Sequence, residues 1–390
     1  MKNKLLILGI IANSIAMIFF TFYLMKLPWL AGDEKFLIWS TSAVKFINRE
    51  IPDSHDFALI NTSYDLQLID RFDEFGFPVG NQVITDREKL TLLLDIINSG
   101  ETKPKYIICD IHFVDSTEVD GALYNALKNA DNMILSSHLN EWGELEKPLF
   151  EDVNRGLSDY VVGSVFDGVY KYQLVYQDSL KLTPLKVYQE LSGESITTTG
   201  SLVKVGDRWT VNNFIMNYRL QQKDILDLEA GFNPVSLGEL LYLEDQDIQE
   251  FVAGKIVVIG DFFESDMHET LFEITAGPLI LLNAFLTIKE GDTFVNVWFF
   301  LLMFAVYAYL SYMVFVEGDY MEKRILKKFG SIAIAKYLAG FASYIGILAL
   351  LSIVTFFLFN IHINIFFIAL AFYLLDKVVG FIYSKTKKSR

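Results

Sequence analysis

The sequence predicts an extracellular α/β domain, with a central, mostly parallel sheet and flanking helices, carried on four transmembrane α-helices. Three observations predict it. Residues 5–25, 295–316, 337–359 and 361–383 are apolar runs near the roughly 20 residues that a helix needs to cross a bilayer. Between the first and second of them, short β-branched runs alternate with helical patterns, the order expected of a sheet covered by helices. The charges are also segregated: residues 27–294 hold 20 Lys and Arg against 44 Asp and Glu, and the remainder holds 13 against 4.

The first apolar run spans residues 5–25, longer than the usual signal-peptide core, so residues 1–26 are expected to stay as an anchor helix. Lys2 and Lys4 precede it, Lys323, Arg324, Lys327 and Lys328 lie between the second and third runs, and Lys385, Lys387, Lys388 and Arg390 follow the fourth. By the positive-inside rule all three groups face the cytoplasm, which leaves residues 27–294 outside and both termini inside. Cys109 is the single cysteine, so no internal disulfide holds the outer domain and its core must do so.

Aromatic residues such as Trp39 continue beyond the anchor as a stalk helix through Asn48. Residues 56–63 read as a first strand, 87–99 as a helix ending at Gly100, and 105–110 as a buried strand. A helix at 115–131 and a strand at 132–137 complete a βαβ unit. Residues 160–166 and 172–177 alternate around Asp167–Gly168 as a hairpin, 182–191 forms a helix, and 201–212 forms a second hairpin about Gly206. Short helices at 236–243 and 247–253 lead to Ile256–Ile259, an unbroken β-branched run that reads as a strand buried on both faces. The helix from Pro278 to Gly291 is expected to run on almost directly into the second span, making Pro278, Asn283 and Gly291 the joint through which displacement passes. The loop 317–336 is expected to carry a helix lying on the inner leaflet, with its four basic residues against anionic lipid. Ala339, Ala342, Ser343 and Gly346 offer a small-residue seam for packing in the third span, and residues 360–364 simply turn the chain.

Several strings, in this order and topology, resemble the bacterial CHASE-type extracellular sensor domain, second type. They are Tyr106–Phe113 (YIICDIHF) with Asp120 and Leu123, Asp167–Gly168–Val169, Gly254–Asp261 (GKIVVIGD), and Ala276–Gly277–Pro278 with Asn283–Ala284. The resemblance covers about residues 50–290. It implies a sensory α/β domain in a bacterial inner membrane, facing the periplasm, and acting on a cytoplasmic output domain. This chain departs from the pattern at Lys171 and Tyr172, where an arginine often stands, and in the loop after Asp261, which lacks the usual glycines. Only seven residues, the basic tail 384–390, follow the last span, so output is expected from a separate membrane or cytoplasmic protein.

Ligands of open α/β sheets bind beyond the carboxyl ends of the strands. Polar residues stand there at Asp110 and His112, at His138, and at Asp261, Asp266 and His268, a set suited, if the three strands are neighbours, to a divalent metal or a small polar ligand. The plainer reading is that the aspartates cap loops and the histidines are exposed. No HExxH, CxxC, GxSxG or P-loop string occurs, so neither an enzyme nor a cofactor is expected. Nor is a metal site assigned. Asp376 is an ionisable group within the fourth span, with Lys377 beside it near the interface. Short basic segments flanking spans, beside an acidic domain, exclude a nucleic-acid partner. The sequence leaves a homo-oligomer open. It predicts a sensor that relays an outside signal through its spans, or else a structural scaffold of a membrane complex.

Overall fold

The structure, a computed structural model, describes residues 2–26, 35–72, 75, 77–160, 168, 169, 171–271, 273–317 and 333–388. The first span, α1 (Lys2–Met25), and α2 (Lys35–Ile47) precede β1 (Phe57–Asn61), a hairpin of β2 (Leu66–Phe72) and β3 (Pro78–Thr85), and α3 (Arg87–Ser99). Next come β4 (Tyr106–Asp110), α4 (Asp120–Lys128), β5 (Met133–Ser137) and β6 (Arg155–Leu157). A series of small elements follows: β7 (Lys171–Gln173), β8 (Val175–Tyr176), β9 (Leu180–Lys181), α5 (Thr183–Ser192), β10 (Ile196–Thr199), β11 (Leu202–Val205), β12 (Arg208–Val211), β13 (Asn213–Ile215) and α6 (Gln222–Leu226). The chain then returns to the main sheet through β14 (Val235–Ser236), α7 (Leu237–Leu240), α8 (Asp245–Val252) and β15 (Ile256–Gly260). It leaves by β16 (Met267–Glu269), β17 (Ile274–Ala276), α9 (Gly277–Lys289), β18 (Phe294–Val295) and the second span, α10 (Val297–Tyr312). The third and fourth spans are Ala333–Phe359 and Ile365–Lys388.

Six strands pair in parallel in the order β14-β1-β15-β4-β5-β6. Period-two side chains divide the core. Ala58, Ile60, Ile107, Cys109, Val257 and Ile259 face a layer of α3, α4, α7 and α8. Phe57, Leu59, Tyr106, Ile108, Ile256 and Val258 face the layer of α5 and α9. β15 is buried at all five positions, because it lies mid-sheet with helices on both sides. Helix α9 is buried from Gly277 through Ile288, which explains why its sequence is apolar on every side.

Four helices are long and apolar enough to cross a membrane, within a few residues of the sequence reading. Polar side chains link the first two: Asn13 Nδ2 donates to Ser311 Oγ at 2.8 Å, and the hydroxyls of Thr21 and Tyr307 lie 2.7 Å apart. Asp376 is buried in the fourth span.

Four expectations need correction. First, α9 does not run on into the second span. It stops at Lys289, Gly291 takes φ +73°, and Phe294 and Val295 pair with Thr210 and Trp209 of β12. A new helix then starts, with Asn296 Oδ1 accepting from Trp298 N at 3.0 Å and Phe299 N at 3.2 Å. A left-handed glycine and a fresh cap make a hydrogen-bonded anchor, so Pro278 and Gly291 are not parts of one continuous helix. Second, the strand at 171–173 pairs with β13, and residues 161–167 and 170 of the hairpin assigned at 160–177, which include all of its first arm but Tyr160, lie outside the described residues. Third, Ala342 and Gly346 of the assigned seam are exposed and do not pack within this chain, whose buried stripe in the third span is Tyr344, Leu348 and Leu351; the side chain of Ala339 lies outside the described residues. Fourth, residues 360–364 do more than turn the chain. All five are buried, and Asn360 Nδ2 donates to Ile215 O of β13 at 2.9 Å. The basic residues Lys323, Arg324, Lys327 and Lys328, and the surface helix assigned to them, lie outside the described residues.

Candidate ligand-binding site

The connections after β1 and β4 leave toward the α3 and α4 layer, whereas the connection after β15, which lies between those strands, leads to α9 on the other face. Adjacent strands whose chains depart to opposite sides leave a crevice at their carboxyl ends. A cavity of about 840 Å³ occupies that position, and Asp110, His112, His138, Asp261 and Asp266 line it. The sixth candidate, His268, is absent from the lining but attaches to it, its Nε2 lying 2.7 Å from Asp266 Oδ1. The β2–β3 hairpin roofs one side through Leu66 and residues 82–85.

These residues are already engaged with one another. Asp261 accepts from Ser63 Oγ, from the backbone N–H groups of Phe263, Glu264 and Ser265 at 3.0, 2.8 and 2.7 Å, and from Ser265 Oγ at 2.5 Å. Burial raises its pKa, but the donors outweigh burial and hold it well below the usual carboxylate range. Its acceptors are spent on its own loop and on Ser63 after β1, so Asp261 shapes the crevice and offers a ligand little. His112 Nε2 lies 2.7 Å from Glu146 Oε2, and His138 Nδ1 lies 3.2 Å from Asp159 Oδ1. The two imidazoles meet edge to face, with centroids 4.5 Å apart. Burial pulls His138 down, and Asp159, Asp110 and Glu146 outweigh it to leave the imidazole above its ordinary value.

Asp110 behaves in the opposite sense to Asp261. Its Oδ1 accepts from Ser136 Oγ at 2.5 Å, and that hydroxyl accepts from Ser158 Oγ at 2.7 Å. Burial first, and the Asp266 carboxylate second, push Asp110 up to about 7. Asp110 therefore changes charge near neutrality. Asp115 and Glu264 add to the acidic lining. The arrangement favours a small cation or a hydroxyl-bearing molecule over an anion, because carboxylates attract the one, hydrogen-bond the other and repel the third. Among the described residues no group of three or more His, Cys, Asp or Glu is placed to hold a metal ion. Cys109 is buried under the sheet face, and burial raises its thiol pKa, so it presents no thiolate to the crevice.

Asp266 also connects the crevice to α9. Its carbonyl accepts from Gly277 N at 2.8 Å, and a Cβ at position 277 would fall 2.1 Å from Asp266 Oδ2. Only glycine lets the carboxylate lie over the first turn of the helix, where the dipole favours negative charge. Asn283 braces α9 nearly two turns further on: Oδ1 accepts from Leu220 N at 3.0 Å, while Nδ2 donates to Leu220 O at 2.8 Å and Leu279 O at 2.9 Å.

Sequence reasoning missed the hairpin roof, the serine pair behind Asp110, and the acidic partners Glu146 and Asp159. The alternation of Leu66 and Leu68 with polar neighbours was a signal for the hairpin; nothing local signals a partner 21 or 34 residues away.

The fold and the crevice together define a class: a membrane protein with four candidate spans and a parallel α/β domain that has a polar cavity at its switch point. Comparison with protein-family models, curated proteins and solved structures found no match to this chain.

Proposed function

We infer that this chain is a membrane-bound sensory protein or sensing subunit, whose α/β domain binds a small cationic or polyhydroxylated ligand and passes its occupancy to the spans and to a separate output protein. One observation carries the proposal: Asp266 lines the cavity and also rests on the start of α9, the buried helix that leads through β18 to the second span. The CHASE-type strings of the sequence support the same reading. The basic flanks of the spans support placement in a bacterial inner membrane, with residues 27–294 in the periplasm. Ligand binding would shift α9 and the β12–β18 pairing between two arrangements, biasing the spans.

The competing reading is a scaffold that docks other membrane subunits. It is favoured by the pairing of His112, His138 and His268 each with a carboxylate of this chain, which leaves these side chains fewer free groups for a ligand. To separate them, the full chain in detergent is melted with ethanolamine and spermidine as cations, mannitol as polyol and glutamate as anion. A cation or polyol that raises Tm, and slows hydrogen exchange at residues 277–296, supports the sensor. No shift with any of the four, together with one stoichiometric co-purifying partner, supports the scaffold instead.

A further inference from the structure

A second cavity, of about 450 Å³, lies where the α/β domain meets the membrane helices. Its walls come from α2, from the segment 215–219 after β13, and from Phe357 at the end of the third span. Two kinds of surface meet there. Toward the lipid, Val44 and Phe357 are each 48% exposed, and on the same helix as Val44 the side chains of Trp39 and Ile47 are exposed as well. An apolar, aromatic-bearing helix face at the ends of spans is the pattern of a helix lying in the headgroup region.

Toward the protein the walls carry a surplus of hydrogen-bond donors. Lys45 Nζ has a neutral partner, Asn360 Oδ1 at 2.7 Å, and stands 4.5 Å from the Phe356 ring. Arg49 is held by Asp224 at 2.6 and 2.9 Å, and Arg219 by Asp292 at 3.0 Å, yet both Nε donors are buried without a partner among the described residues. The Ser42 hydroxyl, in the same wall, is also buried and without one. Lys45, whose hydrogen-bond partner among the described residues is neutral, stands with two arginines beside lipid-facing apolar groups, a setting that suits an oxygen-rich anion attached to a hydrocarbon chain.

We propose that this groove holds the phosphate of a phospholipid headgroup from the leaflet on the α/β side, with Lys45 as its main cation, Arg219 beside it, and the first acyl carbons along Val44 and Phe357. Burial lowers Lys45 to about 8, so an arriving phosphate also stabilises the charged ammonium. The position is mechanical as well as chemical. Asp292, which holds Arg219, lies between α9 and β18, so a lipid here touches the same joint from the membrane side. The inference goes beyond the sensory proposal and does not require the crevice to bind anything.

The test uses the full chain in detergent. Phosphatidylethanolamine, phosphatidylglycerol, diacylglycerol and inorganic phosphate are titrated separately, with Tm and lipid retention by native mass spectrometry as readouts. Both phospholipids are expected to raise Tm and to remain bound, whereas diacylglycerol and phosphate alone do neither. Lys45→Gln should weaken retention at least tenfold, and Lys45→Arg should restore it. Glu50 stands 3.7 Å from Arg219 with its side chain 92% exposed, so Glu50→Gln is safe for folding and should tighten phosphatidylglycerol about threefold. Diacylglycerol matching the phospholipids would reduce the groove to apolar contact, and phosphate alone giving the full shift would make it a free-anion site. Either result overturns the proposal, as does indifference of both Lys45→Gln and Glu50→Gln.

Discussion

Asp110 sets the charge of the crevice, and its pH dependence has a definite sign. Its carboxyl titrates near 7 in the fold against 3.8 in an open chain, so the folded state keeps a proton that the unfolded state has released. Stability from this group is therefore full below about pH 4 and is lost as pH rises toward 7. Asp110→Asn should melt with wild type at pH 4 and above it at pH 8, by on the order of 2 kcal/mol. A pH-independent difference in melts of the full chain would sink this assignment. His138, also raised, contributes in the same direction, since its pairing with Asp159 is strongest while the imidazole is protonated. Asn283 gives a test of packing. It is fully buried with all three of its hydrogen bonds made, so Asn283→Leu strands both backbone groups of Leu220 and should cost roughly 2–4 kcal/mol. A loss under 1 kcal/mol in denaturant unfolding would mean that water or a neighbour replaces them.

The element on which the proposed relay rests is the joint between α9 and the second span. Gly291 has φ +73°, and a Cβ there would lie 2.9 Å from the Phe294 ring, so Gly291→Ala is strained in backbone and in contact at once. About 1–3 kcal/mol of destabilisation is expected. It should appear as faster hydrogen exchange at residues 290–296 before any loss elsewhere; uniform exchange would show that the joint is not a separate unit. Main-sheet strands β1, β4, β5 and β15 were legible in the sequence for local reasons, whereas the short edge strands β6 and β14 were not. Ile256–Ile259 is β-branched throughout, Leu90, Leu93, Leu94 and Ile97 repeat at helical spacing, and Asp86 caps α3 by accepting from Lys89 N at 3.1 Å. The break after α9 was not legible, because Phe294–Val295 is a strand only by virtue of β12, more than 80 residues earlier.

At the scale of the molecule, one apolar cluster runs from Leu59 and Val258 under the sheet, through α9, to Phe299, Tyr307 and Phe372 among the spans. The docking is polar too. Asn213 Nδ2 donates to Met25 O at the end of the first span at 2.9 Å, and Asn360 holds Ile215 O. His362, buried between Thr41 at 2.9 Å and Ser352 at 2.8 Å, ties α2 to the loop between the last two spans. Burial keeps it neutral, with its pKa down at about 3. The α/β domain and the helices thus share a core. Residues 35–294 produced without their spans should aggregate or melt well below the full chain. An excised domain with the full-chain Tm would show two independent units.

The sequence by itself determined the four apolar runs, four of the six main-sheet strands (β1, β4, β5 and β15), and the polar character of their carboxyl ends, because each depends on composition or spacing within some 20 residues. Only the tertiary structure decided that Asp261 is saturated while Asp110 is left near neutrality, that α9 ends in a strand-pinned joint, and that residues 360–364 dock on β13. Those outcomes depend on which distant groups share a desolvated space, and burial with partners remote in the chain sets both a carboxyl's charge and a segment's pairing.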